Sequence, residues 1–170
     1  MIQSDKFDSS NMDIKKLSNT ALMFVVKRLI EILAICISLF GILMFIALIS
    51  YSPDDPNFIF PDNTEIKNLL GFQGSFVSDL FFQSVGFIAY LISITFIVTG
   101  INIFKFKEFF LIIENIFFSI LYSIFGTLFC AYYYSNNAFT LYINGNGGFV
   151  GTYLNQSFLN SLIQLNEKLF

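Results

Sequence analysis

The sequence predicts an all-α integral membrane protein, with three transmembrane helices and an amphipathic helix on the outer side. Three observations carry that prediction. Of 170 residues, 55% are hydrophobic and only 12% charged, about half the roughly 25% charge of a soluble domain. Mean hydropathy is +0.70. Three apolar stretches are long enough to cross about 30 Å of hydrocarbon, which takes roughly 20 helical residues. Finally, the Lys and Arg residues alternate between the ends of those stretches, as the positive-inside rule requires.

The elements follow in order. Residues 1–28 form a cytoplasmic N-terminal segment and 29–170 the membrane domain. The first span covers about 29–51, with Glu31 its one charge. Its apolar run exceeds the roughly 7–15 residues of a signal-peptide core, and no small-x-small cleavage site follows, so it reads as an uncleaved anchor. The second span, about 80–104, holds no charge; Gln83 is its most polar side chain. The third covers about 109–134, with Glu114 and Asn115 near its start. Turn residues then break the chain at Ser135-Asn136-Asn137 and from Asn144 to Gly148. Within 135–170, Leu154, Phe158, Leu162, Leu165 and Leu169 share one helical face, with Asn155, Gln156, Asn160, Gln164 and Glu167 between them. That pattern is an amphipathic helix, too polar to face lipid all round. Gly147, Gly148 and Gly151 at its start allow close backbone approach, so it is expected to pack partly against protein. A charge at Leu162 should then destabilise it, and one at Gln164 should be tolerated.

Orientation follows from the bases. Lys6, Lys15, Lys16, Lys27 and Arg28 precede the first span, and Lys105 and Lys107 separate the second from the third. The connection 52–79 holds Lys67 alone against Asp54, Asp55, Asp62, Glu65 and Asp79, and 135–166 holds no base. Positive segments stay cytoplasmic. The N-terminus is therefore expected inside, 52–79 outside, 105–108 inside and 135–170 outside.

Composition also removes function classes. Without His there is no Ser-His-Asp or Cys-His site and no His-ligated metal. Two Cys cannot form a four-thiolate centre. They fall in opposite leaflets, so Cys36 and Cys130 should stay unpaired. Nine basic residues against twelve acidic leave −3 and no basic field for nucleic acid. Glu31 and Glu114 are the ionisable groups inside the spans. Both lie near cytoplasmic ends, Glu31 one turn from Lys27 and Arg28 and Glu114 at the interface it shares with Lys105 and Lys107, where snorkelling or surface pairing accounts for them. No acid sits at the midplane to relay protons, which counts against a pump.

Outside the membrane the acids have structural readings. Asp54 and Asp55 with Asp62 could hold a cation, but Pro53 and Pro56 favour a turn in which Asp bonds its own backbone. Asp62 to Gly71 reads as a short helix, with Asp62 and Glu65 as a capping box and Gly71 at C′. Ser78 or Asp79 then caps the second span. The run Gly145-x-Gly147-Gly148-x-x-Gly151 lacks the strand context of a phosphate loop and reads as a turn opening a close-packed helix. Tyr132, Tyr133 and Tyr134 suit an interfacial aromatic belt.

Three segments in order carry a family resemblance. They are Ser50-Tyr51-Ser52-Pro53-Asp54-Asp55-Pro56-Asn57 at the first exit, Asn68-Leu69-Leu70-Gly71-Phe72-Gln73-Gly74-Ser75 leading to Ser78-Asp79-Leu80, and Gly147-Gly148-Phe149-Val150-Gly151. This order resembles the N-terminal four-span membrane region of the FtsK/SpoIIIE family of bacterial DNA translocases, over about 21–169. The matching positions, Ser52, Pro53, Asp54, Pro56, Asn68, Gly71, Gly74, Asp79, Gly147, Gly148 and Gly151, read as structural, with no catalytic, cofactor or metal residue among them. The family's fourth span is expected beyond Phe170, which makes the chain read as an N-terminal fragment. Its P-loop motor has no counterpart, because no G-x-x-x-x-G-K-[ST] occurs here.

The resemblance implies a membrane anchor and septum-targeting domain of a translocase that couples chromosome segregation to division. It implies a place in the bacterial inner membrane, a homo-oligomer (hexameric in the full-length family), contacts with other division proteins and the bilayer, no cofactor, and no direct nucleic-acid binding. The alternative is an independent small membrane protein, such as a transporter or channel subunit; the lack of midplane polar groups weighs against it. A membrane enzyme would need clustered catalytic side chains at an interface.

Overall fold

The computed structural model describes residues 2–56, 65–134, 144–159 and 161. It is all-helical there, in the order α1 (Ile2–Ile49), α2 (Gly71–Val85), α3 (Ile88–Phe106), α4 (Phe110–Tyr133) and α5 (Gly148–Leu154), and α5 runs into a π-helical stretch, Asn155–Leu159. Among the described residues, three segments are long and apolar enough to cross a membrane: Asn19–Ile49 of α1, then α3 and α4.

α1 contains no Pro, and it stops where the chain meets Ser52-Pro53, since the residue before Pro disfavours helix. The N-terminal segment is thus helical and continuous with the first span. α1 and α3 form the main packed pair, antiparallel, through small residues. Ala34, Ala47, Ala89 and Ser93 are fully buried. A Cβ at Gly100 would stand 2.6 Å from the carbonyl oxygen of Ala34, and one at Gly41 would stand 2.8 Å from the nitrogen of Ile97. Such small-residue seams let backbones approach and gain dispersion contacts, the force that joins helices within lipid. Met44, Leu48, Phe82 and Ala89 close the core at one end. Phe40 and Phe96 meet edge to face at 5.4 Å.

α4 is held more loosely. Tyr122 shares a 2.8 Å hydrogen bond with Thr95 of α3, and Gly126 receives the Ile88 side chain. Most of its large apolar side chains, including Ile113, Phe117, Ile120 and Phe125, are exposed. On a soluble protein an apolar surface of this extent would aggregate; in a bilayer it faces hydrocarbon. The α3–α4 turn passes through Lys107, at φ 60°, whose N–H bonds the Ile103 carbonyl.

Three expectations need correction. The second span does not run continuously from residue 80: the chain breaks at Gly86-Phe87, so α2 and α3 are separate helices. Residues 65–70 form no helix, and Gly71 opens α2 instead of ending a shorter one; the Asp62 end of that stretch lies outside the described residues. Ser78 and Asp79 sit inside α2, whose N-cap is Leu70, and α3 is capped at Phe87, so neither residue caps a span. Leu162, Gln164, Leu165 and Leu169 also lie outside the described residues.

The two ends of the bundle differ chemically. At one end Glu31 pairs with Arg28 on its own helix and with Lys107 beyond α3, the latter at 2.6 Å. The bond from Lys107 joins the α3–α4 turn to α1, so Glu31 holds a base from its own helix and one from the far end of α3. At the other end lie the C-termini of α1 and α4, all of α2, and α5. Cys36 is exposed, Cys130 is buried, and both are free.

Candidate functional site

The polar residues of the described chain concentrate at that second end. Asp55, Asn68, Ser75, Ser78, Asp79 and Asn146 are all buried there. The physical demand they meet comes from helix ends. Each α-helix leaves four carbonyls without intrahelical partners at its C-terminus. At a membrane boundary, an unmet backbone group costs several kcal/mol in hydrocarbon, on the order given for buried polar groups.

Asn68 closes the end of α1. Its Nδ2 donates to the Ala47 carbonyl at 2.9 Å and to the Ser50 carbonyl at 3.3 Å. Its Oδ1 accepts from the Leu70 N–H at 3.1 Å, so the same side chain shapes the entry into α2. Tyr90 of α3 donates to the Leu48 carbonyl at 3.1 Å, and Ser50 Oγ to that of Ile46 at 2.8 Å. Asp55 in turn fixes Asn68: its two carboxylate oxygens accept the N–H groups of Lys67 and Asn68 at 2.9 and 2.8 Å. The Ser52–Asp55 turn is present, its N–H to carbonyl bond 3.2 Å long. The Asp55 carboxylate, however, serves backbone twelve and thirteen residues onward, where its own turn was expected. Asp54 pairs with Lys67 at 3.1 Å.

α2 turns its polar side chains toward this knot. Ser75 Oγ donates to the Pro56 carbonyl at 3.0 Å. Tyr51 donates to Asp79 Oδ1 at 3.2 Å, with Gln83 Nε2 on the same oxygen at 3.4 Å. Burial first, then the Asp79 charge, pushes the Tyr51 hydroxyl well above the ordinary phenol range, which keeps it a donor. Gly74 has no room for a side chain, because a Cβ would collide with Asn68 Oδ1.

The segment Asn144–Gly151 repeats this logic for the other helix ends. Asn144 Nδ2 donates to the Gln83 carbonyl at 3.2 Å, near the end of α2. Asn146 Nδ2 donates to the Tyr134 carbonyl at the end of α4, also 3.2 Å. The Asn146 carbonyl accepts the N–H of Phe87, the first residue after the α2–α3 break, at 3.0 Å. Gly147 and Gly151 lie against the Thr127 carbonyl of α4, and Gly148, at φ +64°, lies against Gly86 and Ser84. α5 therefore packs on α4 and on the break between α2 and α3.

Asn68 and the three glycines stand out in the sequence by family pattern, whereas Asn144 and Asn146 carry only the signature of ordinary turn residues. An Asn in a turn is locally self-sufficient, and nothing local reveals an amide partner 61 residues away. Ser52 and Pro53 serve as the helix stop, and Pro56 offers the carbonyl that Ser75 uses. Gly71, at φ +65°, starts α2 with open space around it. Every buried side-chain nitrogen and oxygen among the described residues is bonded. Among those residues, no three His, Cys, Asp or Glu side chains gather as metal ligands.

These features define a class: a multi-helix membrane domain whose spans are tied together at one end by a buried polar knot. Residues 26–166 match the 4TM region of DNA translocase FtsK/SpoIIIE. The chain belongs to that family. No curated protein and no solved structure matched it.

Proposed function

We propose that this chain anchors a cell-division DNA translocase in the bacterial inner membrane, and that it targets the protein to the division septum. The observation that carries the reading is the family match over 26–166. The knot supports it: an anchor needs helices held in fixed register, and the buried side chains here are spent on holding helix ends. The translocase motor is assigned to a part of the protein outside these residues, since the sequence has no phosphate loop. The anchor acts by position: joining motor subunits to one membrane site raises their effective concentration without new chemistry. Its partners are lipid, further copies of the same protein and other division proteins.

The proposed orientation puts Arg28, Glu31 and Lys107 on the cytoplasmic side and the polar knot outside. Charge supports it, because Lys27, Arg28, Lys105 and Lys107 gather at one end. Reporter fusions after Asp54 and at Asn146 should report the outer side, and one at Lys107 the cytoplasm. A cytoplasmic signal from Asn146 would overturn the orientation.

A fluorescent fusion of the chain should gather at the septum of dividing cells. Uniform labelling of the envelope at equal protein level would remove septal targeting. The purified chain in detergent should neither hydrolyse ATP nor bind DNA in a salt-dependent way. Saturable DNA binding would count against a pure anchor.

A further inference from the structure

The first part of α2, through Asp79, was expected in an aqueous loop, with Leu80 onward in the second span, yet the polarity of that part is inverted for water. Two of the three serines of α2 and its aspartate face the bundle: Ser75, Ser78 and Asp79 are 2%, 0% and 8% exposed. Its outward positions are mostly apolar. Phe72, Phe76 and Leu80 share one face by their spacing of four, and Leu69 precedes them in the entry turn. Leu69 is 76% exposed, Leu80 52% and Phe72 49%; of the exposed α2 positions, only Gln73 is polar.

Depth is set by α1. The Asn68 turn is bonded to Ala47, within the last turn of the first span. Below it, a groove of about 330 Å³ separates Phe40, Leu43 and Met44 of α1 from Leu70 at the N-cap and Gln73 and Val77 of α2. Phe40 lies nine residues before Ile49, roughly 13 Å down the helix at 1.5 Å per residue. The first half of α2 therefore runs beside a stretch of α1 that belongs inside the hydrocarbon. Irregular backbone at such depth is tolerated only where its polar groups are met by protein. The turn satisfies this: Asp55, Asn68 and Ser50 side chains accept the N–H groups of residues 67–70.

We propose that α2 is a re-entrant membrane element, with Leu69, Phe72 and Leu80 inserted among the acyl chains of the leaflet at that end. Acyl chains are the occupant because the groove opens onto Phe40 and Leu43, exposed residues of a helix that spans the bilayer. The lipid-facing surface of α1 thus continues across the groove onto α2, with Gln73 the one polar side chain on the groove's lining. The consequence for the domain is that its outward surface at this end is smaller and more deeply seated than a 28-residue aqueous loop would be.

The chain contains no Trp, so Phe72→Trp and Leu69→Trp, both within the stretch expected in water, each supply a single fluorophore. Each full-length variant would be reconstituted into phosphatidylcholine vesicles, with and without bromine on the acyl chains. Ile101→Trp, on the exposed face of α3, serves as the lipid reference. The expected result is blue-shifted emission, loss of most of it in brominated vesicles as for the reference, and little quenching by aqueous iodide. Water-like emission quenched by iodide would overturn the proposal by returning α2 to an aqueous loop. Blue-shifted emission untouched by brominated lipid would overturn it equally, because protein would then cover the stripe. Should one variant fail to reconstitute with native helix content, the other decides.

Discussion

Gly86→Ala is expected to break the knot where the chain passes from α2 to α3. Two effects add. Gly86 sits at φ 61°, ψ −141°, a region open essentially to Gly alone, and holding another residue there costs about 1–3 kcal/mol. A Cβ would also collide with the carbonyl oxygen of Asn146, the atom that accepts the Phe87 N–H. Forcing it aside removes that bond and shifts Gly148, at roughly another 1–3 kcal/mol for overpacking. Gly145→Ala is the matched control: Gly145 has a similar φ of +69° but open space where the Cβ would go. Thermal unfolding in detergent, followed by helical circular dichroism, should place Gly86→Ala well below Gly145→Ala. Equal midpoints would show that the Asn146 contact does not bear on stability.

Asn68→Asp is expected to be the most damaging single-atom exchange at the other half of the knot. The amide nitrogen that donates to Ala47 and Ser50 becomes an oxygen facing two carbonyl oxygens. The new carboxylate also lies next to the buried Asp55, which bonds the Asn68 N–H at 2.8 Å. Asn68→Ala removes the donor to the α1 carbonyls and the acceptor of the Leu70 N–H, at about 1–3 kcal/mol for each group left unmet, but places no charge there. The expected order of stability is wild type, then Asn68→Ala, then Asn68→Asp. The Asp variant should regain stability as pH falls, because protonation restores a donor and removes the charge: its pKa is raised in the folded state, so the defect grows as pH climbs through that value. Melting at two pH values checks the sign. An Asp variant as stable as wild type at neutral pH would mean that Asn68 is not the cap of α1.

The two halves of the knot share a physical cause, which bears on how the domain tolerates change. Helix ends at a bilayer boundary need donors, and besides Tyr90 and Ser50 this chain draws them from three asparagines, Asn68, Asn144 and Asn146, on connecting segments. Each ties one element to another far along the chain. Separate spans are thereby held at one end while α4 keeps most of its length against lipid.

Much of the fold was legible in the residues themselves. Long charge-free runs such as the one from Leu80 to Phe104 have one stable environment, the hydrocarbon, and there a helix must satisfy its own backbone. That determined the class, the three spans and the separation of the two Cys. The order of turn motifs around Pro53, Asn68 and Gly147 was enough to suggest the family that residues 26–166 match. The break at Gly86 was not legible, because a lone Gly within an apolar run is common in membrane helices; only the nearby Asn146 carbonyl makes it a break. Nor was the placement of α2. Its mixed sequence fits either an aqueous loop or a lipid-side element, and the difference lies in which face the serines and Asp79 take. Periodicity reports that two faces exist. Only the tertiary structure decides which of them meets protein, because that depends on where Asn68, Tyr51 and Pro56 offer their hydrogen bonds.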